Sequence, residues 1–254
     1  MKKNEIQDLT LTAVFSAIIL VMIFVPQVGF ITFGVASLTL IHIPVLIGVF
    51  LLPKKYSVLL GLIFGLGSLI KAVIAPAGPL DPVFVLPWIS VLPRVLFALA
   101  AAYLFDLFKL LQVKLKHSEI YIFGIVSLIT VFGMYYSSQA VISTTGWSAS
   151  AVLPVTLLIT TLFITGYYAF IKSEKQDSVL IPSTLLIATV IHTVLVLTAL
   201  VIFEGAYISE LLQSDDLIGF VYTVAVTNGL LEAILAVLIG TPIILALKQV
   251  KNNR

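Results

Sequence analysis

Charge is scarce in this chain. It has 14 Lys+Arg and 12 Asp+Glu among 254 residues, so 10% is charged, while 60% is hydrophobic and the mean hydropathy is +1.18. A soluble domain carries roughly 25% charged residues. So few ionisable groups cannot cover a water-facing surface, which excludes a soluble globular fold, and the apolar excess excludes a disordered chain. The net charge of +2, with no dense basic cluster, excludes a nucleic-acid binder. Cysteine is absent, and with it any disulfide framework, thiolate metal centre or cysteine nucleophile. No G-x-x-x-x-G-K-[ST] occurs, so the chain has no P-loop for ATP, and "GLIFGLGSLIK" has the wrong spacing within an apolar stretch. H-E-x-x-H and G-x-S-x-G are missing too. His42, His117 and His192 lie far apart without ligand-type spacing, so no metal centre, cofactor or catalytic residue is expected. Active transport by this chain would need energy from a partner. There is no internal repeat of the kind common in secondary transporters, no low-complexity linker and no soluble domain. A polytopic membrane protein remains.

A bilayer core about 30 Å thick takes about 20 apolar residues as helix. Charged and Pro/Gly-rich breaks divide the chain into eight such stretches, near 9–26, 35–52, 56–75, 93–112, 119–141, 151–171, 179–203 and 218–247. Transmembrane strands would alternate polar and apolar residues. "VLIPSTLLIATVIHTVLVLTALVIF" does not alternate, so the expected fold is an all-α membrane bundle in one integral membrane domain. The second stretch is short and carries Pro44, which points to a kink or a partly re-entrant course. Glu5 and Asp8 near the start, and the lack of a small-residue cleavage site, favour a retained first helix over a signal peptide. With both termini inside, Lys2, Lys3, Lys54, Lys55, Lys109, Lys114, Lys116, Lys172, Lys175, Lys248, Lys251 and Arg254 are cytoplasmic, and only Lys71 and Arg94 are on the outer side. That asymmetry orients the protein N-in and C-in, consistent with an even span count. Segments 76–92 and 204–217 are the longest on the outer side.

An ionisable group deep in a span is costly and usually faces a cavity or a partner. Glu232 is the only acidic residue so placed, about 20 Å along the last span, with Asn228 one turn before it on the same face. His192 lies about 20 Å from the inner end of the seventh span, at similar depth. These three form either a hydrogen-bonded pin between two helices or the polar wall of a small-ligand pocket. A mutual His192–Glu232 bond is one arrangement they allow. His42, beside Pro44, is read as a structural residue or a further pocket group. Arg94, near Lys71 and Asp81, suits a carboxylate, with an interfacial anchor or a salt bridge to Asp81 as its alternative. Trp88 and Trp147 fit an aromatic belt. Ala13 and Ala17 are four apart on the first span, and Gly61 and Gly65 on the third, each allowing close helix approach inside or outside the chain.

"FGVASLTLIHIPVLIGVFLLPKKYSVLLGLIFGLGSLIK", "PLDPVFVLPWISVLPRVLFALAAAYLF" and "VTNGLLEAILAVLIGTPIILAL", in that order, resemble the substrate-binding S component of energy-coupling factor (ECF) vitamin transporters. The resemblance covers spans 1–4 and 7–8, roughly three quarters of the chain. It implies a subunit of the bacterial cell membrane that binds a vitamin or precursor near the outer face. It also implies docking onto a transmembrane coupling subunit with two ATPase subunits, so that ATP is hydrolysed by the partners. The family's A-x-x-x-A on the first helix, which contacts the coupling subunit, corresponds to Ala13 and Ala17. S components usually have six spans, so the resemblance leaves a core of 9–112 and 179–247 with an inserted two-helix hairpin at about 113–178. "HIP" and "TNGLLEAI" are most similar to pantothenate-type members, although these carry Asn where His192 stands. Cobalamin, riboflavin and folate stay open. The implied ligand set is His42, Arg94, His192, Asn228 and Glu232, covered by the loops around 27–34 and 76–92. Rival readings are a proton-coupled secondary transporter using Glu232 and His192, and an intramembrane enzyme using the same pair as acid and base.

Overall fold

The computed structural model describes residues 3–25, 28–33, 36–173 and 179–252. Lys2, Lys175 and Arg254 of the expected cytoplasmic set, and residues 27 and 34 of the expected cover, lie outside the described residues. In chain order the elements are α1 (Lys3–Phe24), β1 (Phe30–Phe33), β2 (Ala36–Thr39), α2 (His42–Leu51), α3 (Lys54–Ile74), a 3-10 turn (Asp81–Val85), α4 (Pro87–Lys114), α5 (Ser118–Thr145), α6 (Ala149–Ser173), α7 (Leu180–Leu212), α8 (Leu217–Val224), a π turn (Ala225–Gly229) and α9 (Leu230–Asn252). The polytopic all-α bundle expected from composition is what the chain forms, because helices satisfy their backbone polar groups internally where no water is present. Among the described residues seven helices are long and apolar enough to cross a membrane, α8 and α9 counting as one.

The second expected span differs. Its first part is β2, paired antiparallel to β1 with Phe30 opposite Thr39, and only its second part is helix. Helix α2 has 10 residues, all buried, and rises about 15 Å, half of a bilayer core. Pro44 lies in the first turn of α2, where its missing N–H would have had no intrahelical partner, so it starts the helix rather than kinking it. Irregular backbone at this depth is tolerated where it is enclosed by protein or faces a cavity. Here Ile41, Ile43 and Leu46 are buried in the main core beside α1 residues Phe15, Ile19 and Ile23.

Two glycines set the crossing of α3 and α4. A Cβ on Gly61 would lie 2.7 Å from both the Ala98 Cβ and the Arg94 carbonyl oxygen, and one on Gly65 would lie 2.7 Å from Val91 Cα. The small-residue stripe of α3 is therefore an internal packing face. That on α1 is not, since Ala13 and Ala17 are exposed together with Val14, Ile18 and Val21.

Leu80 and Val83 of the 76–92 segment form a second apolar cluster with Leu197, Leu200 and Ile208 of α7 and Phe220 of α8. The Tyr207 hydroxyl donates to the Pro79 carbonyl (2.9 Å), tying that segment to the top of α7. Helix α5 packs against the π turn, α7 and α9, while α6 packs on α5. The Tyr167 hydroxyl of α6 pairs with the Ser183 hydroxyl of α7 at 2.5 Å.

Candidate functional site

Four elements converge beside the second apolar cluster on a cavity of about 90 Å³. Its wall includes Arg94 from α4, His192 and Thr193 from α7, Asn228 from the π turn and Glu232 from α9. Phe30 and Thr39 of the strand hairpin and Leu80 and Phe84 of the 76–92 segment complete its lining. His192, Asn228 and Glu232, matched in depth by helix arithmetic alone, do share one space.

Glu232 is 5% exposed and is held by groups that the sequence does not flag. Its Oε1 accepts from the Thr39 backbone N–H at 2.5 Å, and its Oε2 accepts from the Thr193 hydroxyl at 3.4 Å. The carboxylate thus satisfies a strand amide that has left helical geometry inside the membrane. A direct His192–Glu232 bond is not formed: among the described residues, neither nitrogen of His192 has a hydrogen-bond partner.

Arg94 is 3% exposed, although it is one of only two basic residues assigned to the outer side. Its neighbour Pro93 has no N–H, so the Ile89 carbonyl loses the donor it would have from residue 93 in an unbroken helix. Arg94 Nη1 donates to that same carbonyl at 2.6 Å. The guanidinium also lies 5.0 Å from the Phe84 ring centroid and 5.5 Å from that of Phe64. The salt bridge to Asp81 entertained from sequence is made by Lys71 instead (3.3 Å), and Asp81 also accepts from the Ala77 N–H (2.6 Å). Arg94 Nε is buried without a hydrogen-bond partner.

His42, the first residue of α2, is fully buried and stacks on His192 with ring centroids 5.6 Å apart and planes 16° apart. Phe97 packs against both, 4.8 Å from His192 and 6.3 Å from His42. The Thr39 backbone is the one polar group set against the His42 ring among the described residues. His42 does not line the cavity itself; it backs His192.

Asn228 accepts from the Thr227 hydroxyl (3.3 Å), and its amide nitrogen is unpartnered. It stands in a π turn, a rare local widening often found at functional sites. Gly229 follows because a Cβ there would lie 2.8 Å from Thr193 Cγ2, so the turn presses directly on α7. The "TNG" triplet was the legible part of this feature; the π geometry was not.

The family model for the ECF transporter substrate-specific component matches residues 7–171. The match spans more than half of the chain, includes Ala13, Ala17, His42 and Arg94, runs through α5 and α6, and ends before α7. His192, Asn228 and Glu232, and the "VTNGLLEAILAVLIG" stretch that carried part of the resemblance, lie beyond it. No curated protein matches the chain.

Proposed function

The chain belongs to the ECF transporter substrate-specific component family, and from that premise we propose that it is the vitamin-binding membrane subunit of an ECF-type importer, with pantothenate the first expectation. The family is one of transporter subunits rather than enzymes, and the seven long apolar helices make the chain a multi-pass membrane protein. The observation that carries the reading is the buried cavity where Arg94, His192, Asn228 and Glu232 meet under two outer segments. Unpartnered groups on Arg94, Asn228 and His192 supply donors for a small polar ligand with a carboxylate, and Glu232 and Thr193 supply acceptors.

In its present form the cavity has room for only a few waters, whereas pockets for drug-sized ligands hold about 300–1,000 Å³. Binding a vitamin therefore requires the hairpin, the 76–92 segment or both to move outward and close again. The bacterial plasma membrane is the proposed site, and a transmembrane coupling subunit with two ATPase subunits the proposed partners. The exposed Ala13/Ala17 face of α1 supports docking there, since its small residues are not used in internal packing. Helix α5, inside the stretch the family model matches, packs as a buttress against the π turn.

Calorimetry of the purified chain with a vitamin panel tests the reading. One vitamin should bind at micromolar concentration or tighter, and uptake into liposomes should appear only with the ATPase partners present. Binding of none, or uptake driven by a proton gradient without them, refutes it.

A further inference from the structure

His42 and His192 come from segments 150 residues apart in sequence, yet they and Glu232 bring one ligand atom each to within 4.8 Å of one another. Imidazole nitrogens and carboxylate oxygens bind a first-row divalent ion at about 2.0–2.2 Å, so inward movement of each group by roughly 0.7 Å puts all three on one ion. Two observations point to an ion at this place. Both imidazole nitrogens of His192 are buried without a hydrogen-bond partner, and the His42 ring, equally buried, meets no polar group besides the Thr39 backbone, a costly arrangement unless something binds them. His42 also lies behind His192, off the cavity wall, where an organic ligand in the cavity does not reach it but an ion held between the three side chains does. Glu232 is oriented by the Thr39 amide and the Thr193 hydroxyl, the kind of outer support that metal-ligating carboxylates have.

We propose that His42, His192 and Glu232 hold one divalent transition-metal ion, bound together with an anionic group of the ligand that fills the cavity beside Arg94. Two imidazoles and one carboxylate suit zinc, nickel or cobalt, whereas calcium and magnesium take oxygen ligands. The need for an anion follows from charge. Arg94 and Glu232 cancel, so a divalent ion alone would leave two positive charges in a buried site, and an anion restores the balance. Arg94, on the cavity wall, is placed to hold that anion. The proposal deepens the reading of this cavity as a ligand site and is tested without any vitamin or partner.

The purified full chain, stripped with a chelator, is titrated with Co²⁺ alone and again in acetate. One ion per chain should bind, with a visible spectrum of mixed nitrogen and oxygen ligation, and acetate should tighten binding. His42→Ala and His192→Ala should each weaken binding by about 100-fold or more, since loss of even an outer-shell partner costs roughly 10–100-fold, while His117→Ala, at the start of α5, changes nothing. Retention of wild-type affinity in the first two variants overturns the site. If either fails to fold, the native chain decides: a spectrum like that of aqueous Co²⁺, or no retained ion, also overturns it. A chain that binds a vitamin but no Co²⁺ refutes the metal centre and leaves the importer reading intact; one that binds Co²⁺ but none of the vitamins does the reverse.

Discussion

Replacing Arg94 by methionine should cost more in the native chain than in one that already carries Pro93→Ala. In the native chain the Ile89 carbonyl has its backbone donor removed by Pro93 and replaced by Arg94 Nη1 at 2.6 Å. Methionine at 94 keeps much of the side-chain volume but leaves that carbonyl unpaired in an apolar interior, at about 1–3 kcal/mol. With alanine at 93 the helix supplies its own N–H to Ile89, and the same substitution orphans nothing there. The contacts of the guanidinium with Phe64 and Phe84 are lost in both backgrounds and cancel in the double-mutant cycle. The coupling is therefore expected at about 1–3 kcal/mol, a 5- to 150-fold difference in the folded-to-unfolded ratio. Reversible denaturant unfolding in detergent micelles, read by circular dichroism on all four chains, measures it. Equal cost of Arg94→Met in both backgrounds would show that the Pro93–Ile89–Arg94 link does not hold α4 together, and the account of why an arginine is buried there would fail.

Three further substitutions probe separate parts of the argument. Glu232→Ala should destabilise the chain by about 1–3 kcal/mol because the Thr39 amide loses its acceptor, while Glu232→Gln, which keeps an oxygen there, should cost clearly less; comparable melting temperatures for the two would contradict this. Gly65→Leu should cost about 1–3 kcal/mol or more, since its first carbon already meets Val91 Cα, and a melting temperature unchanged from the native chain would refute the close crossing of α3 and α4. Ala13→Trp with Ala17→Trp should abolish uptake by the assembled importer while leaving ligand affinity within about twofold, because those positions are exposed and do not line the cavity; normal uptake rates would move the docking face elsewhere.

The helices were legible because membrane solvent leaves so few choices: a run such as "LIATVIHTVLVLTALVIF" must be helix if it crosses lipid. The second span was legible only in part. Its Pro44 and short length marked something irregular, but that its outer half is a strand whose Thr39 amide is capped by Glu232, 193 residues on, has no local signature. Arg94 is the same kind of case. Its position at the outer side suggested Asp81 as partner, yet Lys71 takes Asp81, and the carbonyl freed by Pro93 takes Arg94. Thr39, Thr193 and Phe84 drew no notice because each is an ordinary residue in an apolar stretch until a distant segment folds against it.

Sequence by itself determined the class of solvent, the helical fold and the single deep carboxylate. These depend on composition and on periodicity along one segment, which need no knowledge of neighbours. Tertiary structure decided what that carboxylate touches, which small-residue stripe is packed and which is open, and that His42 and His192 stack into one unpaired set beside it. The reason is that hydrogen bonds and ring contacts between spans depend on how each helix is rotated and how deep it sits, and both are set by close approaches such as those at Gly61, Gly65 and Gly229.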